Sequence, residues 1–295
     1  STGVSIYAPD SNDPVEKEFR QLMVGDDAAQ AEVDGWILDA QQQRGARDET
    51  GSIGLKARMN QRFDPVRKGY EEFLKRHPRH AGARLAYGSF LSDIAEEDAA
   101  AEQFQKAVEA DPKNPAAWNN LANYYGHKGP VEKAIECHGK ALALKPLEPV
   151  YYRNLATTFC SFPRDTTNYL KISLDEVFEK SLALYRRALE LDPANFLLAT
   201  DLAMIYYSIP APKTDDRQAA QQARERLARD ALAAWQTCLK LARDDKEQQG
   251  VHVHFARIQI DANRFEEARV SLSQVTNPIF ETVKASLLKK LAKRE

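Results

Sequence analysis

Two histidine pairs and three cysteines are the residues with which this chain could do chemistry. His77 and His80 flank a turn, and His252 and His254 lie two apart. A metal site needs ligands that converge on one ion. His252 and His254 fall in a stretch with helical periodicity, where residues two apart point in different directions. Neither pair is expected to hold a metal. Cys137, Cys160 and Cys238 are an odd, low count, which argues against a disulfide framework. No basic cluster stands beside any of them to favour a thiolate, so they read as small hydrophobes rather than nucleophiles. The chain has no glycine-rich phosphate loop, no cysteines two apart and no nucleophile elbow. No catalytic residue and no cofactor is expected, and the chain reads as a non-enzyme. What remains is hydrogen-bonding chemistry: asparagines can bond both the N–H and the C=O of an extended peptide.

Composition narrows the setting. The chain has 295 residues, 43% hydrophobic and 28% charged, a globular balance. A formal net charge of -2 supplies no overall field for nucleic acid or an anionic membrane, and nucleic acid is not an expected partner; the net +3 of residues 279–295 leaves a basic membrane-binding tail as an alternative. No run of 18 apolar residues is present, so no transmembrane helix is expected.

The elements that would position such groups recur. Pro78, Pro112 and Pro146 are spaced by 34 residues, and other positions fall into line with them. Residues 81–114 carry Tyr87, Gly88, Leu91, Ala100, Phe104 and Ala107. Residues 115–148 carry Leu121, Ala122, Tyr125, Ala134, His138 and Ala141. In 47–80 the set is Gly54, Val66, Tyr70 and Phe73. This pattern resembles the tetratricopeptide repeat family over roughly residues 47–276. The resemblance implies an all-α, right-handed superhelical solenoid of antiparallel helix pairs with terminal capping helices. A small residue at the eighth position of each unit, matched by one at the twentieth, lets the two helices approach. Proline ends the second helix because it cannot donate a backbone hydrogen bond. No pair buries its apolar faces alone, so units must stack.

About six units fit between 47 and 276, with two interruptions. Pro193 lies 47 residues after Pro146, placing an insertion near 162–173 with loop chemistry and Ser173 as a cap. A second insertion, near 209–229, holds a loop at Ile209–Thr214 and then extends a long helix through Trp235. Residues 1–46 read as an extended arm and a capping hairpin, with one helix from Pro14, a break at Gly25-Asp26-Asp27, and a second helix over Ala28–Gln43. This segment is acidic, either as a solvated cap or as a docking surface. Residues 277–295 read as a C-terminal capping helix with Phe280, Val283, Leu287, Leu288 and Leu291 on its inner face.

The resemblance places the functional surface on the concave side, at positions 2, 5, 6, 9, 12 and 13 of each unit. The candidate partner-binding residues are then Asn119, Asn120, Asn123, Arg153, Asn154, Tyr207 and Arg257. The alternative for Asn119 and Asn154 is that they satisfy neighbouring helix groups. Co-chaperones of this family grip a C-terminal carboxylate with a cationic clamp. Here the clamp positions read Asn119, Asn123, Asn154, Leu197 and Asp201, without a cation, so clamp binding is not expected. The expected function is a non-enzymatic scaffold that binds a protein or peptide segment in its groove. The alternative is a structural subunit of a larger complex, attached through the insertions and termini. The polar start at Ser1 and the bacterial look of the repeats lean towards a periplasmic or secreted protein over a cytoplasmic one.

Overall fold

The computed structural model describes residues 12–43, 49–210 and 216–294, which are almost wholly helical. They form two compact units, divided between Lys145 and Pro146. The first contains α1 (Pro14–Gln43), α2 (Glu49–Arg76), α3 (Ala81–Asp93), α4 (Glu97–Ala110), α5 (Pro115–Lys128) and α6 (Val131–Leu144). The second contains α7 (Pro149–Ser161), α8 (Pro163–Leu170), α9 (Leu174–Leu191), α10 (Phe196–Ile205), α11 (Arg217–Leu241), α12 (Asp245–Asp261) and α13 (Phe265–Ser273). A 3-10 turn at Pro278–Phe280 then leads into α14 (Glu281–Ala292). Residues 1–11 of the expected arm and 211–215 of the expected loop lie outside the described residues.

The first unit corrects the expected start of the chain. Gly25-Asp26-Asp27 does not break a helix, because α1 runs through it. Asp26 faces inward, 6% exposed. Its carboxylate accepts from Tyr70 Oη at 2.7 Å and Gln30 Nε2 at 2.8 Å. A polar trio read as a turn is therefore a helical residue with a buried partner. Likewise the expected hairpin of residues 47–80 is the single helix α2, with Pro65 inside it. Gly54 stands exposed in that helix, and a Cβ built there would meet nothing within 4 Å, so no close helix crossing forms there. The pair at this end is α1 against α2, clasped by Phe19 on Phe73 (ring centroids 5.9 Å apart) and by His80 on both rings.

From α3 onward the expected pairing holds: α3 with α4, α5 with α6, α7 with α9, α10 with α11 and α12 with α13. The matched small residues are Gly88 and Ala100, Ala122 and Ala134, Ala156 and Ser181, Ala203 and Ala231, and Ala256 and Ala268. The nine other than Gly88 are at most 4% exposed, and Gly88 is also buried. At Gly88 the contact is so close that a Cβ would stand 2.5 Å from the Phe104 ring.

Two features of the turns also repeat. Two residues after each proline sits a helix N-cap, and His80, Asn114 and Asn195 each accept backbone N–H bonds there. Six residues after the first three of these prolines a side chain donates to the proline carbonyl: Arg84 to Pro78, Trp118 to Pro112, Tyr152 to Pro146. Three different chemistries thus satisfy one orphaned helix-end acceptor at 34-residue spacing.

In the second unit the segment 162–173 is not a loop. Most of it is the short helix α8, which packs on α9 with Thr166 fully buried. Ser173 does cap α9, in a complete capping box with Glu176. The second insertion extends α11, whose stretch from Arg217 to Asp230 contains no buried residue. Trp235 and Cys238 then anchor it, 1% and 0% exposed. In α14, Val283, Leu287 and Leu291 face inward at four-residue spacing. Leu288 falls one step off that face and is exposed, which corrects the expected inner set.

Candidate interaction surfaces

In the first unit the surface is built on α3 and α5. Asn120 sits mid-helix on α5, 4% exposed, and its Nδ2 donates to Ser89 Oγ of α3 at 3.3 Å. Asn119, 1% exposed, donates to Asn120 Oδ1 at 3.5 Å. These two asparagines are thus largely sunk between helices, while Asn123, one turn on, stays half-buried. Asn123 lines a cavity of about 280 Å³ with Asn120, Tyr124 and His127 on one side and Ser89, Ser92, Asp93 and Glu97 on the other. Tyr124 Oη donates to Asp98 at 3.1 Å, and Lys128 meets Glu97 at 3.3 Å, so α5 is braced against the start of α4.

In the second unit the surface is built on α7, α10 and α12. Arg153 Nε bonds Asp201 Oδ2 at 2.6 Å, tying α7 to α10. Asp201, which would repel a carboxylate in a clamp, is thereby neutralised. Asn154 is half-buried on α7, and its neighbour Thr158 bonds back to the Asn154 carbonyl. Tyr207 follows α10, and its Oη lies 3.0 Å from His254 Nδ1. His254 is stacked flat on Trp235, ring centroids 3.8 Å apart, and burial holds its imidazole down at about 4. The Arg257 guanidinium stands 5.7 Å from the Tyr207 ring centre. Leu197, Met204 and Tyr207 are exposed along one side of this surface. Tyr207 and Arg257 are thus brought together, while Arg153 is paired elsewhere.

Sequence reasoning did not single out Ser89, Ser92, Asp93 and Glu97. The signal for the first three was present, since they occupy positions 9, 12 and 13 of the unit that begins at Ala81. Reactive thiols are absent from both surfaces. Cys137 and Cys238 are buried, Cys160 is half-buried, and burial pushes Cys137 up to about 11 and Cys238 to about 12. Among the described residues no three His, Cys, Asp or Glu side chains could hold a metal ion. None of the described helices is long and apolar enough to cross a membrane.

Helix pairs closed by small residues, presenting hydrogen-bonding side chains on their first helices, define an all-α helical-repeat protein. The comparisons give the family. Residues 81–114 and 104–136 each match a tetratricopeptide repeat family model, and the chain is a tetratricopeptide repeat protein. It is 22% identical over 229 residues to mouse RNA polymerase II-associated protein 3, covering 65% of this chain and 35% of that protein. It is 41% identical over 76 residues to Tetratricopeptide repeat protein 36 of Caenorhabditis elegans, covering 26% of this chain and 38% of that protein. The chain thus spans little more than a third of either relative. Among solved structures it resembles the C-terminal part of a TPR repeat-containing protein from Cytophaga hutchinsonii. That match has a TM-score of 0.55 at 14% identity and covers 92% of this chain and 99% of that one. It also resembles YrrB, described as a TPR protein with an unusual peptide-binding site (TM-score 0.53, 16% identity, 75% and 97% covered). At these identities the likeness concerns the fold alone. Tetratricopeptide repeats imply a protein–protein interaction scaffold, in a family that is generally non-enzymatic.

Proposed function

We propose that this chain is a non-enzymatic scaffold that holds an extended segment of a protein partner along its first helices, with Asn123 a principal contact. The cavity between α3 and α5 carries the reading. Asn120 is fixed there by Ser89, while Asn123 beside it keeps amide groups within reach of an incoming backbone. YrrB, a tetratricopeptide repeat protein described by its peptide-binding site, is a precedent for this use of the fold. Arg153, Asn154, Tyr207 and Arg257 form a second patch for the same purpose in the other unit. The test is affinity capture from the native source by the wild-type chain and by Asn123→Ala, with mass spectrometry of what is retained. Loss of a discrete partner with an unchanged melting temperature supports the reading, and identical capture by both forms sinks it.

A second reading is attachment to a larger assembly through the insertions. It is favoured by the Arg217–Asp230 stretch of α11, which contains no fully buried residue, and by exposed Tyr169 and Leu174 around α8. Arg217→Glu with Arg224→Glu would then abolish co-assembly and leave peptide capture unchanged.

A further inference from the structure

We infer that the α3–α5 cavity takes the cationic head of a lysine or arginine from an extended partner segment. The inference rests on the reading above, that such a segment lies along these helices. One wall of the cavity carries carboxylates. Asp93 ends α3, Glu97 begins α4, and both line it. Lys128 meets Glu97. No described lysine or arginine is paired with Asp93. Burial pushes the Asp93 carboxyl up. Asp93 in turn acts on buried Asp26. Carboxylates from two helices, α3 and α4, therefore line one opening.

The facing wall adds acceptors of its own. Asn120 is 96% buried, and its Nδ2 is committed to Ser89. Its Oδ1 receives only a long 3.5 Å bond from Asn119, so one acceptor site is left for a better donor. Tyr124 gives its proton to Asp98, which leaves its oxygen as an acceptor. An ammonium with three donors and no acceptor, or a guanidinium with five, suits such a wall. A carboxylate would meet repulsion there. The volume of about 280 Å³ is that of a side-chain socket rather than a seat for a folded element. A charge-assisted hydrogen bond is stronger than a neutral one, so Asp93 would set the preference for one residue of the segment.

The experiment uses the full chain and fluorescently labelled random peptide pools, each fixed at its central residue as Lys, Arg, Gln or Glu. Fluorescence anisotropy should show the Lys and Arg pools binding about tenfold tighter than the Gln pool, with the Glu pool weakest. Asp93→Asn should remove that preference, and Asp93→Lys should turn it towards the Glu pool, with helix content unchanged by circular dichroism. Asn123→Ala should weaken all pools alike. Equal binding of the four pools that is still lost in Asn123→Ala overturns the basic preference but keeps the groove. A Lys preference that survives Asp93→Asn combined with Glu97→Gln also overturns it. Failure of every pool to bind overturns both.

Discussion

In the first unit the small residues that let paired helices cross lie 12 positions apart, at Gly88 and Ala100 and again at Ala122 and Ala134. In the second unit two of the three separations stretch, to 25 between Ala156 and Ser181 and to 28 between Ala203 and Ala231. Both members of each pair are nonetheless buried. The chain between them is free to differ: a tight turn in the first unit, the helix α8 or the arm of α11 in the second. Pairing is set by shape at the crossing and not by loop length, because the entropy of closing a longer connection grows slowly. The position four residues further along varies more. It is Phe104 or His138 in the first unit and Tyr185, Trp235 or Leu272 in the second. The regular unit thus tolerates a histidine in its core, while the interrupted one uses its largest side chain.

That contrast can be broken at Trp235. Emptying this site by Trp235→Ala should cost about 3–5 kcal/mol. It should also remove the shelf under His254 and loosen Tyr207 and Arg257. Hydrogen exchange should show lost protection in α10–α12 and unchanged protection in α3–α6. Loss spread evenly over both sets would show that the two units do not differ in this way.

His138 offers the next largest effect, through pH. The ring is 1% exposed, its Nδ1 meets no partner among the described groups, and burial pushes it down to about 4. Below its ordinary value near 6.5 the unfolded imidazole takes up a proton that the folded one refuses. Stability is therefore intact above pH 6.5 and falls as pH drops towards 4, by an amount on the order of 3 kcal/mol at most. His254 titrates in the same window and the raised Asp26 works in the opposite sense, so the informative quantity is the difference between wild type and His138→Leu. Chemical denaturation at pH 8 and pH 5 should show a smaller loss in the variant. Equal losses would mean that His138 accepts a proton without unfolding.

Gly88 and Gly54 sharpen the comparison within the first unit. A Cβ at Gly88 would meet the Phe104 ring at 2.5 Å and the Ala100 carbonyl at 3.2 Å, both in the core. Gly88→Ala should therefore destabilise by about 1–3 kcal/mol. Gly54 meets nothing, and Gly54→Ala in an exposed helix should stabilise by about 0.5–1 kcal/mol. Denaturant midpoints moving in opposite directions are the expected result.

These two glycines also show what was legible from sequence. Both sit at the eighth position of the 34-residue pattern, and only one lies at a helix crossing. The period reads correctly from Ala81 onward because proline, small residue and aromatic all recur there. It fails before Ala81 because a buried Asp26–Tyr70 hydrogen bond and the α1–α2 packing override the local turn signals at Gly25. The asparagines of α5 were legible as a polar row, but their depths were not. Asn119 and Asn120 differ from Asn123 only in the neighbours that bury them. Of the carboxylate wall, Asp93 was legible at a groove position of its unit, whereas Glu97 joins it only once α4 stands beside α5.

The smallest expected effect lies in the turns between paired helices. Ala95 and Asn263 occupy the same position of their units, one in each half of the molecule, and both have positive φ, at 63° and 59°. In the unit that follows that of Ala95, this position is Gly129, with φ 75°. Asparagine tolerates the left-handed region through local hydrogen bonding, whereas alanine is held there against a steric penalty of about 1–2 kcal/mol. Replacing alanine by glycine removes that penalty but gives the unfolded chain more freedom, which returns about 0.4–1 kcal/mol. The balance favours Ala95→Gly by a few tenths of a kcal/mol to about 1 kcal/mol. Asn263→Gly should change stability less, because its penalty is smaller to begin with. Paired thermal melts decide the matter. A lower midpoint for Ala95→Gly would mean that this turn draws on the alanine methyl for packing, and that the two halves solve the same backbone problem by different means.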